Sequence, residues 1–166
     1  MGYAEGTTVD VMRSRLEVER LLQKAECSHV GVMHEPGKAI VFFQRRGWQV
    51  QMTVPIPMIS NAPQTRRGRW LTDDQKREWV EQQARERWRQ LLLALKAKFT
   101  ALENGLETFE QTFLAHLVVG GVHLGDRLLP AVRQAQEKGT QLQLGAGAAP
   151  PKGHADPSGA AGVSGG

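Results

Sequence analysis

The chain has 166 residues, 40% of them hydrophobic and 23% charged, which is the composition of an ordinary globular domain and excludes a fibrous or collagen-like chain. Its one cysteine, Cys27, excludes an intramolecular disulfide, and no apolar run approaches the roughly 20 residues that cross a bilayer. The net charge of +4 is concentrated: residues 38–98 carry 13 basic and 5 acidic side chains, net +8, a field that points to a polyanionic or acidic partner.

Residues 1–10 lack the basic and apolar regions of a secretory signal, so the expected compartment is a reducing cytoplasm. A first helix is expected from Asp10 to Ala25, capped by Thr7 or Thr8, with Met12, Leu16 and Leu22 inward beside Val9 and Val18. Three strands follow, at 29–33, 38–44 and 48–55. They are separated by Glu35-Pro36-Gly37 and Arg45-Arg46-Gly47, in which proline presets a turn and glycine supplies positive φ. Trp48, Val50, Met52 and Val54 alternate with Gln49, Gln51, Thr53 and Pro55, the period of a sheet with one covered face.

Prolines, Asn61 and Gly68 mark residues 55–72 as an irregular connection. Thr72 then caps a long helix from Asp73 to Glu103, ended by Asn104-Gly105. Ala84, Trp88, Leu91, Leu92, Leu95, Phe99 and Leu102 form its apolar stripe, flanked by Arg85, Arg89 and Lys96. Shorter helices are expected at 106–118, closed by Gly120-Gly121, and at 125–137. Residues 145–166 hold seven glycines and three prolines and cannot offset the entropy cost of folding. The expected fold is α+β: a helix, a three-stranded antiparallel meander, a long amphipathic helix, two shorter C-terminal helices, and a disordered tail after a single domain of residues 1–144.

The candidate functional residues are the basic ones of the central segment: Arg45 and Arg46 beside Trp48, then Arg66, Arg67, Arg69 and Trp70, then Arg85, Arg89 and Lys96. Guanidinium groups pair bidentately with phosphates, and an exposed indole offers a stacking face to a base, so the set fits non-specific binding of DNA or RNA. A protein-interaction or self-assembling module is the alternative, because Trp79 falls opposite the Trp88 stripe and is expected to be exposed.

No GxSxG, HExxH, P-loop or strand-to-helix GxGxxG occurs, and the acidic pairs Asp73/Asp74 and Glu107/Glu110 suit the first turns of helices. No catalytic residue and no cofactor is therefore assigned, and the chain reads more as a binding protein than as an enzyme. Cys27, His29, His34 and Glu35 lie close in sequence but match no zinc spacing, so no metal site is assigned.

Glu19-Arg20-Leu21-Leu22 leading to Ala39-Ile40-Val41-Phe42-Phe43, and the run from Arg87 through Phe99 to Phe109-Glu110-Gln111-Thr112-Phe113-Leu114-Ala115-His116, resemble a family of short bacteriophage and prophage proteins of unassigned function. The resemblance spans residues 8–135. It implies an accessory role in the cytoplasm of a bacterial host and carries no catalytic residues. The element order is also similar to that of double-stranded-RNA-binding domains. Here, however, the long helix opens on Thr72-Asp73-Asp74-Gln75, where that mode of binding requires basic residues.

Overall fold

The computed structural model of the protein describes residues 3–142, with their side chains apart from those of residues 3–10 and 66. The expected disordered tail at 145–166 lies outside the described residues. The chain divides after Arg127 into two compact units.

In the first unit, β1 (Ser28–Glu35), β2 (Lys38–Arg45) and β3 (Trp48–Pro55) form the expected antiparallel meander. Arg46-Gly47 joins β2 to β3 in a two-residue loop, with Arg45 opposite Trp48 and φ of +49° and +85° at the two loop residues. Positive φ at both positions is the type I′ geometry that matches strand twist, and it favours Asn or Gly where Arg46 stands. Ala39, Val41 and Phe43 lie opposite Val54, Met52 and Val50, and all six are buried on one face. On the other face the Phe42 ring lies over Gly31, where a Cβ would come within 2.3 Å of it.

Two helices, α1 (Tyr3–Lys24) and α2 (Asp73–Glu103), cover the buried face and share one core cluster with it. They run in the same direction, since Arg15 sits over the Trp88 ring and Lys24 lines the same cavity as Glu103. α2 starts and stops where the sequence places it. The Thr72 hydroxyl accepts from the Gln75 amide while Gln75 accepts from the Thr72 amide, a reciprocal capping box. Trp88, Leu91, Leu92, Leu95 and Phe99 form its buried stripe.

α1 departs from expectation twice. It begins at Tyr3, so Thr7 and Thr8 lie within it. Val18 and Leu22 are fully buried, whereas Met12 and Leu16 are 48% and 46% exposed. At 100° per residue these two sit about 120° and 160° around the helix from Val18, whereas Val11, Ser14, Arg15, Leu21 and Leu22 lie within about 60° of it.

The connection after β3 contains a 3₁₀ turn, Ile59–Asn61, and a small second sheet made of β4 (Thr65–Arg66) and β5 (Arg69–Trp70). After α2, the expected helix at 106–118 is corrected to three pieces: α3 (Phe109–Phe113), a 3₁₀ turn Leu114–His116, and strand β6 (Leu117–Val119). Gly120-Gly121, with φ of +60° and +79°, turns β6 into β7 (Val122–His123) instead of closing a helix. Gln49 and Val50 pair with Val118 and Leu117, which covers the start of the outer edge of β3 and makes the main sheet five-stranded in the order β1-β2-β3-β6-β7. Phe113 packs among Phe43, Phe99 and Phe109 at ring separations of 4.8–5.6 Å.

The last helix, α4 (Leu124–Lys138), begins in the first unit, where Gly125 lies so close to Ala115 that a Cβ would approach its carbonyl oxygen to 2.7 Å. In the second unit the rest of α4 ends at Gly139, φ +60°. There the Thr140 amide donates to Ala135 and the Gly139 amide to Gln136, the Schellman pattern.

Candidate nucleic-acid interface

The basic residues that the sequence groups together occupy two separate places. Arg85, Arg89 and Lys96 recur at helical spacing on α2 and line a groove of about 630 Å³ between α2 and α1, with Leu92 and Leu93 beside them. α1 contributes Arg13 and Glu17, whose side chains pair at 3.5 Å. The second carboxylate of the groove, Glu86, accepts hydrogen bonds from the Gln82 and Gln83 amides. Four cationic side chains thus share the groove with two engaged carboxylates.

Gln82 also lines a smaller cleft of about 150 Å³ with Leu71, Gln75, Glu78 and Trp79. Trp79 is therefore part-buried rather than exposed, which corrects the expectation from the helical wheel. Trp79 lies off the main core, as the wheel places it, but it lines a cleft together with Leu71, which arrives from the preceding connection. The groove and the cleft form one row along α2, leading from Lys96 back toward β5.

The β4–β5 ribbon stands at the near end of that row. Its tip, Arg67-Gly68, has φ of +52° and +77° and repeats the Arg-Gly loop between β2 and β3. Thr65 pairs with Trp70, and the Leu71 amide donates to the Gln64 carbonyl at 2.9 Å, which closes the base of the ribbon immediately before α2. Arg67 and Arg69 are exposed, and Trp70 is 76% exposed. Arg66 belongs to β4, but its side chain lies outside the described set.

Arg45 and Arg46 lie at the opposite end of α2, a helix of 31 residues and hence about 46 Å. They border a cavity of about 540 Å³ lined also by Lys24, Trp48, Phe109 and the carboxylates Glu26, Glu103, Glu107 and Glu110. Arg45 is largely buried: its guanidinium lies over the Phe109 ring, 3.9 Å from Glu26, and its Nε has no partner. The Trp48 indole donates to Glu110 Oε1 at 2.7 Å, so its polar edge is engaged within the protein. Arg46 is exposed at its turn, facing Glu110. This second set is a mixed-charge cavity and is not continuous with the basic row.

The acidic and sulfur groups singled out in the sequence have local roles. Glu107 accepts from the Thr112 hydroxyl, and burial pushes the Cys27 thiol up to about 11 against the opposing pull of Arg45, so the thiol stays protonated at neutral pH. No group of three His, Cys, Asp or Glu side chains able to hold a metal occurs among the described residues. No described helix is long and apolar enough to cross a membrane. Arg13, the contribution of α1 to the groove, was not singled out from the sequence. Its i,i+4 pairing with Glu17 gives it the look of a solvated helix flank, and no signal in the sequence assigns it to the groove. The chain matches no protein-family model, no curated protein and no solved structure.

Proposed function

We propose that the protein binds nucleic acid without sequence specificity along the row that runs from the β4–β5 ribbon to Lys96, as an accessory protein of a bacteriophage or prophage acting in the host cytoplasm. The observation that carries this reading is the continuity of the row. Gln82 belongs both to the groove of Arg13, Arg85, Arg89 and Lys96 and to the cleft under Leu71, next to the ribbon of Arg67 and Arg69. Phosphate contacts from such a row release counterions, so affinity depends steeply on salt and little on sequence. The test is retention of purified protein on single- and double-stranded DNA and RNA at about 50 and 200 mM salt, where binding that is strong at the lower salt weakens sharply at the higher. Failure to bind at the lower salt removes the reading.

The separation of Arg45 and Arg46 from the row favours a second reading for the far end of the molecule, a surface for a host or phage protein. The mixed charges of that cavity suit a protein partner better than a phosphate backbone. Affinity capture from host cells with and without nuclease discriminates the two, because a partner bridged by nucleic acid is lost on digestion.

A further inference from the structure

The four tryptophans are in different circumstances, and only one is free to stack. Trp88 is 1% exposed in the core. Trp48 is held by Glu110, and Trp79 lies part-buried in its cleft. Trp70 is 76% exposed, opposite Thr65 and next to Arg69, with Arg67 in the two-residue turn beyond Arg69. It is displayed by a hydrogen-bonded ribbon closed at its base by Leu71 and Gln64, so its position relative to the start of α2 is fixed by the backbone. An indole held in water beside exposed Arg69, with Arg67 at the adjoining turn, contributes little burial to the fold and keeps its ring face open.

We infer that Trp70 stacks on an unpaired base and that the protein consequently prefers single-stranded nucleic acid to duplex. This rests on the nucleic-acid reading proposed above and adds to it the class of strand. In a duplex, the faces of the bases are already stacked on their neighbours, and an indole reaches one only after the base has been extruded or unstacked. In a single strand the face is free, and one base stacked on an aromatic side chain changes affinity by about tenfold or more. The guanidinium groups of Arg67 and Arg69, both on the tip side of Trp70, supply the phosphate contacts that keep the strand at the ribbon. Stacking is indifferent to base identity, in keeping with binding that lacks sequence specificity.

The test measures binding of an oligothymidylate of about 15 nucleotides and of a mixed-sequence duplex of the same length by fluorescence anisotropy at about 50 mM salt. The wild type, Trp70→Ala, Trp70→Phe and the double variant Arg67→Gln/Arg69→Gln are compared. The wild type binds the single strand about tenfold or more tighter than the duplex. Trp70→Ala loses that preference while its duplex affinity is unchanged, Trp70→Phe retains most of the preference, and the arginine variant weakens on both. Equal wild-type affinities, or a preference that survives in Trp70→Ala, overturn the inference and leave the nucleic-acid reading standing. Absence of binding to both overturns the two together. Binding to phosphatidylglycerol vesicles that requires Trp70 and is not displaced by the oligothymidylate assigns the ribbon to an anionic bilayer surface and also overturns the inference.

Discussion

The Trp48 indole N–H and the Glu110 carboxylate, 62 residues apart in sequence, meet at 2.7 Å and tie β3 to the first turn of α3. The glutamate is held below its ordinary value of 4.5, chiefly by its own backbone N–H at the helix start, with Thr108, Trp48 and Arg46 adding to the effect against the opposing influence of burial. A carboxyl whose pKa is lower in the folded chain than in the unfolded one contributes stability that is fully present above 4.5 and is lost as pH falls through the depressed folded value. Thermal midpoints measured across the acid range should therefore fall more steeply for the wild type than for Glu110→Gln. Parallel curves below 4.5 would mean that the fold does not favour the ionised form of Glu110.

Arg15 lies over the Trp88 ring, 5.6 Å from its centroid, with its Nε buried and without a partner. A buried donor with nothing to bond is a cost of about 1–3 kcal/mol, while the aliphatic stem covers the indole. Arg15→Met keeps the stem and removes the donor, so denaturant unfolding is expected to show unchanged stability or a gain of up to about 2 kcal/mol. A loss of similar size would show that the guanidinium's position over the indole outweighs the missing bond.

Glu26 ends α1 with φ of +58°, and the Cys27 amide donates to Leu22 while the Glu26 amide donates to Gln23, so a glutamate stands where this cap favours glycine. Its ion-pair contact with Arg45 is long at 3.9 Å and largely in solvent on the glutamate side. Glu26→Gly is expected to raise stability by about 1 kcal/mol in denaturant unfolding, since the relief of left-handed strain exceeds the lost contact. Destabilisation would show that the Glu26–Arg45 contact holds the end of the helix.

How far the fold was legible depended on how local its causes are. The α2 boundaries follow from Thr72, Gln75 and Asn104, which act within a few residues, and the meander follows from alternation and two glycine turns. In the sequence β6 reads as helix because Phe109, Phe113 and Leu117 satisfy a helical period. What decides against a helix is distant, the open edge of β3 at Val50, although Gly120-Gly121 between short apolar runs was a hairpin signal available in the sequence. Thr108 and Gln111 likewise repeat the capping box of Thr72 and Gln75 and mark the true start of α3. The site was legible only in part. Helical spacing puts Arg85, Arg89 and Lys96 on one face, but the sequence holds no information about which end of a sheet a turn occupies. The sequence alone therefore groups Arg45 and Arg46 with the ribbon arginines at the other end of α2.

The most direct measurement is the salt dependence of binding to an oligothymidylate of about 15 nucleotides, for the wild type and for Arg89→Gln/Lys96→Gln. With about four phosphates engaged, wild-type affinity is expected to fall roughly 50-fold between about 50 and 200 mM salt, and removing two cations lowers the log–log slope by about 1.4. A wild-type affinity indifferent to salt, or an unchanged slope and affinity in the double variant, would contradict a nucleic-acid path along α2.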